Sequence, residues 1–208
     1  MSQFSRRAIL AGAAAAIPAL SVAPANAALP PALARHPGFR AWDAPPANAA
    51  AAPLNAFVET EAAPKRMRDW LGGRPAVLAL WATWCSPCLA EKPGQAEMAR
   101  RLERAGARAR IMPLLAYDRV TMRFARRTLD RLQARDLPLA RASDAAERGF
   151  IRVFGPSPLT PDRTSMPSLL LLDAQGRELG RAVGTMVGAD GHTDYWEDEA
   201  SFEFLSRL

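Results

Sequence analysis

Cysteine, histidine and lysine are almost missing from this 208-residue chain, which has two cysteines and two histidines. A tetrahedral zinc site would have to recruit every cysteine and histidine present, Cys85, Cys88, His36 and His192. Only Lys65 and Lys92 are lysines, so the formal charge of +6 is carried almost wholly by arginine. Together with the abundance of alanine, this marks the basicity as a compositional habit. No acid occurs before Asp43. The apolar run from Ala11 to Ala23 is shorter than the roughly 20 residues of a membrane span, and alanine rather than leucine dominates it. There is no internal repeat.

A nucleic-acid binder concentrates its charge on one element with aromatics interleaved. The densest candidate is Arg119, Arg123, Arg126, Arg127, Arg131 and Arg135, within one expected helix whose other face carries Val120, Met122, Phe124, Leu129 and Leu132. It reads as a solvated helix face, and no nucleic-acid partner is expected.

About half of the residues are apolar (49%), enough for one domain with a sizeable core. Residues 1–27 read as an address: Arg6-Arg7, a mildly apolar stretch, then Ala25-Asn26-Ala27 with small residues where a signal peptidase cuts. The segment resembles a twin-arginine export signal, implying a periplasmic location and no stable membrane span after cleavage. Residues 28–53 are dominated by alanine and proline and read as an extended linker that packs poorly, with His36 simply exposed. The domain is expected over 54–208.

Within it, Pro75 to Trp81 is a continuous apolar run that reads as a strand buried on both faces. Further strands are expected at Leu54–Glu61, Ala109–Ala116, Leu137–Ala140, Ser168–Leu172 and, after a turn at Ala174–Gly176, from Arg177 to Val187. Helical patterns occupy Ala63–Leu71, Leu89–Ala105 with a kink at Pro93, Val120–Ala134, Ala145–Phe154 and Glu197–Leu208. Alternation of this kind predicts an α/β fold, a central mixed sheet flanked by helices. The segment Gly188 to Tyr195 reads as a loop.

Trp81-Ala82-Thr83-Trp84-Cys85-Ser86-Pro87-Cys88 joins the buried strand to the start of a helix. Two cysteines scattered at random would fall three apart in about one case in a hundred. At such a junction the unpaired N–H groups of the first helical turn favour a thiolate on the first cysteine. Cys85 is therefore the expected nucleophile and Cys88, one turn on, the resolving thiol. A structural disulfide closing so short a loop would constrain the unfolded chain little. A copper site would take Cys85, Cys88 and His192, the one histidine inside the expected domain. It is the alternative of another functional class.

WATWCSPC, followed by Glu91 and Pro93, resembles the TlpA-like and ResA-like branch of the thioredoxin superfamily. Met166-Pro167 before the apolar strand resembles that family's cis-proline element. The resemblance runs from about Leu54 to Leu208. It implies a thioredoxin-like fold and thiol–disulfide exchange with protein thiols or disulfides. It also implies a reductive role fed by a membrane electron donor, with clients such as apocytochrome c or copper-site cysteines, and no cofactor. By position it implies a cis Met166–Pro167 bond facing Cys85 and Cys88, Glu91 as proton handler, and Trp84 and Met166 at the docking surface, with Trp81 in the core. Two positions depart from the pattern. Ala79 stands where thioredoxins have a buried aspartate, and Ser165 where the family has glycine.

Overall fold

The computed structural model describes residues 28–208; the twin-arginine address at 1–27 lies outside them. Three apolar strands set the architecture: β3 (Ala76–Trp81), β4 (Arg110–Leu115) and β6 (Ser168–Leu172), all buried throughout except at Arg110. Strands without polar alternation need cover on both faces. Here β4 runs parallel and β6 antiparallel to β3, one on each side. With β1 (Phe57–Thr60), β2 (Lys65–Arg66), β5 (Ala140–Ala142) and β7 (Glu178–Val183) the sheet has seven strands in the order β2-β1-β5-β4-β3-β6-β7.

Alternate residues of β3 face two cores. Val77, Ala79 and Trp81 point to the side covered by α4 (Lys92–Arg104), α5 (Met122–Arg131) and α7 (Glu199–Ser206). Leu78 and Leu80 point to the side covered by α2 (Met67–Leu71) and α6 (Asp144–Phe154). The helices begin where local chemistry starts them: Thr121, Ser143 and Asp198 each accept a backbone N–H three residues on and so satisfy one of the free donors of the first turn. The expected mixed sheet between helices is what forms.

Several boundaries differ from the sequence-based expectation: the strand expected to reach Val187 ends at Val183, the helix expected over Leu89–Ala105 is two helices, Ser86–Ala90 and Lys92–Arg104, and three further departures have a visible cause. The helix expected from Ala63 starts only at Met67, because Lys65 and Arg66 pair with β1. The strand expected at Leu137–Ala140 forms at Ala140–Ala142, where Ala140 is opposite both Thr60 and Leu114; Leu137 and Leu139 instead pack into the helix-side core.

The third difference concerns the linker, which does not pack poorly between Leu29 and Asp43. A short helix, α1 (Pro31–Ala34), and a 3-10 turn at Pro37–Phe39 lay this arm against α7. Gly38 permits the approach, since a Cβ there would come 2.2 Å from the Ala200 carbonyl oxygen. His36 is tucked against Phe204, at 5.9 Å between ring centroids, rather than simply exposed. Trp42 is buried and donates its indole N–H to the Tyr195 hydroxyl at 2.8 Å. Asp43 and Arg181 exchange backbone hydrogen bonds of 2.8 and 2.9 Å at the β7 edge. Four residues, Leu33, Gly38, Phe39 and Trp42, carry this packing, and the alanine and proline between them conceal any period.

Removing the Trp42 side chain opens a large cavity and leaves the Tyr195 hydroxyl without its donor. Trp42→Ala is therefore predicted to destabilise the chain by about 3–5 kcal/mol. A denaturant midpoint equal to wild type would show that the arm contributes nothing to the fold.

Candidate active site

Beside the C-terminus of β3, β4 ends and β6 begins. Trp81 is opposite Leu115 of β4, and Leu80 is opposite Ser168 of β6, so Pro167 lies level with Trp81 at the same end of the sheet. The loop after Trp81 is pinned there by Asp118, just beyond β4. Its carboxylate accepts from the Thr83 backbone N–H at 2.6 Å and the Thr83 hydroxyl at 2.7 Å. Asp118 also accepts from the Val120 N–H at 3.2 Å, which fixes both rims of the loop to one buried acid.

Cys85 caps α3 (Ser86–Ala90) and is joined to Cys88 by a disulfide. The Cys88 N–H donates to Cys85 Sγ at 3.3 Å. Such a donor stabilises negative charge on that sulfur when the bond opens. Cys85 retains 4% exposure and Cys88 none, so the first sulfur lies nearer the surface. The Met166–Pro167 bond is cis, and Met166 packs partly buried against both cores. Trp81 is fully buried, while Trp84 is 48% exposed and donates its indole N–H to the Tyr117 carbonyl at 3.1 Å. Ser165, in place of the family's glycine, offers its carbonyl to the Ser168 hydroxyl at 2.6 Å.

Glu91 is buried at the break between α3 and α4. A solvated helical glutamate is thereby excluded. Its carboxylate accepts from Gln95 Nε2 at 3.2 Å, and Gln95 Oε1 accepts from Lys92 Nζ at 2.7 Å. Lys92 is also fully enclosed, its ammonium 5.3 Å from the Trp81 ring centroid. Gly94 leaves room for Trp196, whose Cβ would stand 2.8 Å from any Cβ added there. The Met186 backbone N–H and the Trp196 indole N–H also lie toward the Glu91 carboxylate and favour its charged form, although neither reaches full hydrogen-bond geometry.

Burial pushes the Glu91 carboxyl up to about 7, against the attraction of Lys92. Burial likewise pushes the Lys92 ammonium down to about 7, against the attraction of Glu91. The two titrate as one unit. Glu91 thus has the proton affinity of an acid–base group at neutral pH, supplied by a network that bonds to Gln95 rather than to either sulfur.

Sequence reasoning missed Lys92, Asp118 and the packed arm. Lys92 had a readable signal: it is one of two lysines in an arginine-rich chain and stands beside the acid singled out. Asp118 had only its place after an apolar strand. His192 is not brought to the cysteines. It lies exposed in a turn organised by Asp190, which accepts the His192 N–H at 2.9 Å. Among the described residues no group of three or more His, Cys, Asp and Glu side chains is placed to hold a metal ion. The copper set is therefore not assembled.

Solved structures similar to this chain include a thiol:disulfide interchange protein of the thioredoxin family from Chlorobium tepidum TLS, at 19% identity. It covers 74% of this chain and 95% of that one, with a TM-score of 0.51. Another is the thioredoxin domain of a thiol-disulfide oxidoreductase from Bacteroides vulgatus, at 9% identity. Coverage there is 65% of this chain and 89% of that one, with a TM-score of 0.50. No protein-family model and no curated protein sequence matches the chain. The structural likeness establishes the thioredoxin-like fold.

The buried pair gives the site a pH signature. The folded pKa of Glu91 lies above its ordinary 4.5; its contribution to stability is full below that value and is lost as pH rises to about 7. The folded pKa of Lys92 lies below its ordinary 10.5, so between about 7 and 10.5 the unfolded chain binds the extra proton and stability rises with pH. Their joint contribution has a minimum near pH 7. Denaturant midpoints measured at about pH 5, 7 and 9 should dip in the middle, and the Glu91→Gln/Lys92→Met double variant should flatten that dip. A dip unchanged in the double variant would place its origin elsewhere.

Proposed function

We propose that the chain is an exported thiol–disulfide oxidoreductase that exchanges the Cys85/Cys88 couple with protein substrates and acts as a reductase. The observation that carries this reading is the asymmetry of the pair. Cys85 caps a helix beside exposed Trp84 and receives an N–H, whereas Cys88 is enclosed behind it. An attacking sulfur must reach a partner, and a resolving sulfur must not react first.

In the reduced protein the Cys85 thiolate attacks one sulfur of a client disulfide. A Cys85–client S–S bond forms, the client bond breaks, and the client's other sulfur leaves as a thiolate and takes up a proton. Cys88 then loses its proton, and its thiolate attacks Cys85 Sγ. The internal disulfide closes and the client's first sulfur departs to be protonated. The client gains two electrons and two protons; the enzyme's dithiol loses them. Glu91 takes and returns the Cys88 proton, the task for which thioredoxins use the aspartate replaced here by Ala79. Pro167 and Met166 lie beside the couple and offer the client a backbone edge, with Trp84 as its apolar contact.

The reductive direction follows the resemblance to the TlpA-like and ResA-like branch, as do its clients, cysteines of apocytochrome c or of copper sites, and a membrane electron donor that restores the dithiol. Arg6-Arg7 and the small residues before Ala28 support export to the periplasm. Among the described residues no helix is long and apolar enough to cross a membrane.

Cys85→Ser is predicted to abolish disulfide exchange, and Cys88→Ser to accumulate a mixed disulfide visible by mass spectrometry. A reduction potential near about -270 mV supports a reductase, and one near about -120 mV overturns the direction. Exchange that survives Cys85→Ser overturns the assignment of the nucleophile.

A further inference from the structure

The rim around Cys85 carries a positive charge that the exchange chemistry does not use. Between α6 and β6 the chain makes a compact turn, closed by Ser157 N–H to Arg163 O at 2.7 Å and Arg163 N–H to Thr160 O at 3.1 Å. The Arg163 guanidinium lies over the Trp84 ring, 4.4 Å from its centroid. The turn is thereby fastened to the residue next to the nucleophile. It also presents Leu159, which is 91% exposed.

Two other charged groups on this rim are matched. Arg119 pairs with Asp144 at 3.0 Å and with Glu147 at 3.1 Å, and Asp118 is consumed by Thr83 and Val120. Arg163 forms no ion pair among the described residues, and neighbouring Asp162 is exposed and unpaired with it. A guanidinium held over an indole and bonded to no acceptor has its N–H donors left for a planar carboxylate. Its stem is held by the turn and its head by Trp84, so less freedom is lost when it binds.

Resting on the exchange reading above, we propose that Trp84, Arg163 and Leu159 form the docking rim for clients. Arg163 makes that rim select a polypeptide segment carrying a carboxylate beside its reactive cysteine. Trp84 and Leu159 take up apolar contacts on either side of that ion pair. The preference is electrostatic, so it is screened by salt.

The test uses the reduced full chain and two hairpin peptides, each closed by one disulfide and differing only in Asp or Lys beside a cysteine. Wild type should reduce the Asp peptide about three- to fivefold faster than the Lys peptide at low ionic strength. The ratio should fall toward one in about 0.5 M sodium chloride. Arg163→Gln should bring it near one, and Arg163→Glu should reverse it. Because the readout is a ratio within each protein, a general loss of folding or reactivity does not imitate the result. A wild-type ratio near one, or a preference for Asp retained in Arg163→Glu, overturns the proposal. If wild type reduces hydroxyethyl disulfide but treats the two peptides alike, the docking proposal alone falls. If it reduces none of the three, the exchange activity falls and the docking proposal with it.

Discussion

Strand β3 is hydrogen-bonded along its length to β4 on one side and β6 on the other, and no residue of it reaches solvent. A strand so enclosed cannot slip by one residue without turning Val77, Ala79 and Trp81 into the wrong core. Its C-terminus is therefore a fixed point, and three chain segments are delivered to it: the cysteine loop from β3, Tyr117 and Asp118 from β4, and Met166-Pro167 from β6. Rigid supports ending together give a flexible chemistry an accurate address. The reacting sulfur sits on a loop, but the loop is anchored through Asp118 to the neighbouring strand's end.

The same enclosure creates the electrostatic problem that the site exploits. With Ala79 in its middle, β3 carries no ionisable side chain, and a buried acid stands instead at Glu91, at the break between α3 and α4. A lone carboxylate buried there would be held neutral. Lys92 opposes that by attraction, and it is itself deprived of water, so neither group wins and both titrate close to neutrality. Gln95 bonds to both and fixes their geometry with an uncharged side chain. A proton can then be gained or lost near pH 7 at small free-energy change, the condition favouring acid–base catalysis.

Much of this arrangement is legible in the amino-acid sequence, for physical reasons. Continuous apolar runs such as PAVLALW and SLLLL report double-sided burial directly, and the spacing of the only two cysteines reports a shared task. The turn at Gly176 follows from the backbone freedom of one residue, and the interruption expected at Pro93 falls just before it, at Glu91 between α3 and α4. What stays hidden depends on contacts distant in sequence. Arg126 reads as part of a solvated basic face, yet it reaches Glu61 and the carbonyls of Arg135 and Leu137. Nothing local distinguishes it from Arg123 or Arg127. Likewise Glu147 reads as an ordinary helical acid, although it receives the Tyr117 N–H at 2.6 Å and so supports the rim beneath Trp84.

The amino-terminal arm shows how far such distant dependence extends. Trp42 holds Tyr195 through its indole N–H, Tyr195 meets Trp196 edge to face at 5.4 Å, and Trp196 fills the space over Gly94 beside Glu91. This row of aromatic rings packs continuously from the arm to the helix that carries the buried acid and lysine. Depressing the lysine and raising the glutamate both require burial, since water reaching the pair would restore ordinary proton affinities. The residues whose composition suggested a mere spacer are therefore continuous with the packing that gives Glu91 its proton affinity. The surroundings of Glu91 are tied in this way to a segment more than forty positions earlier in the chain.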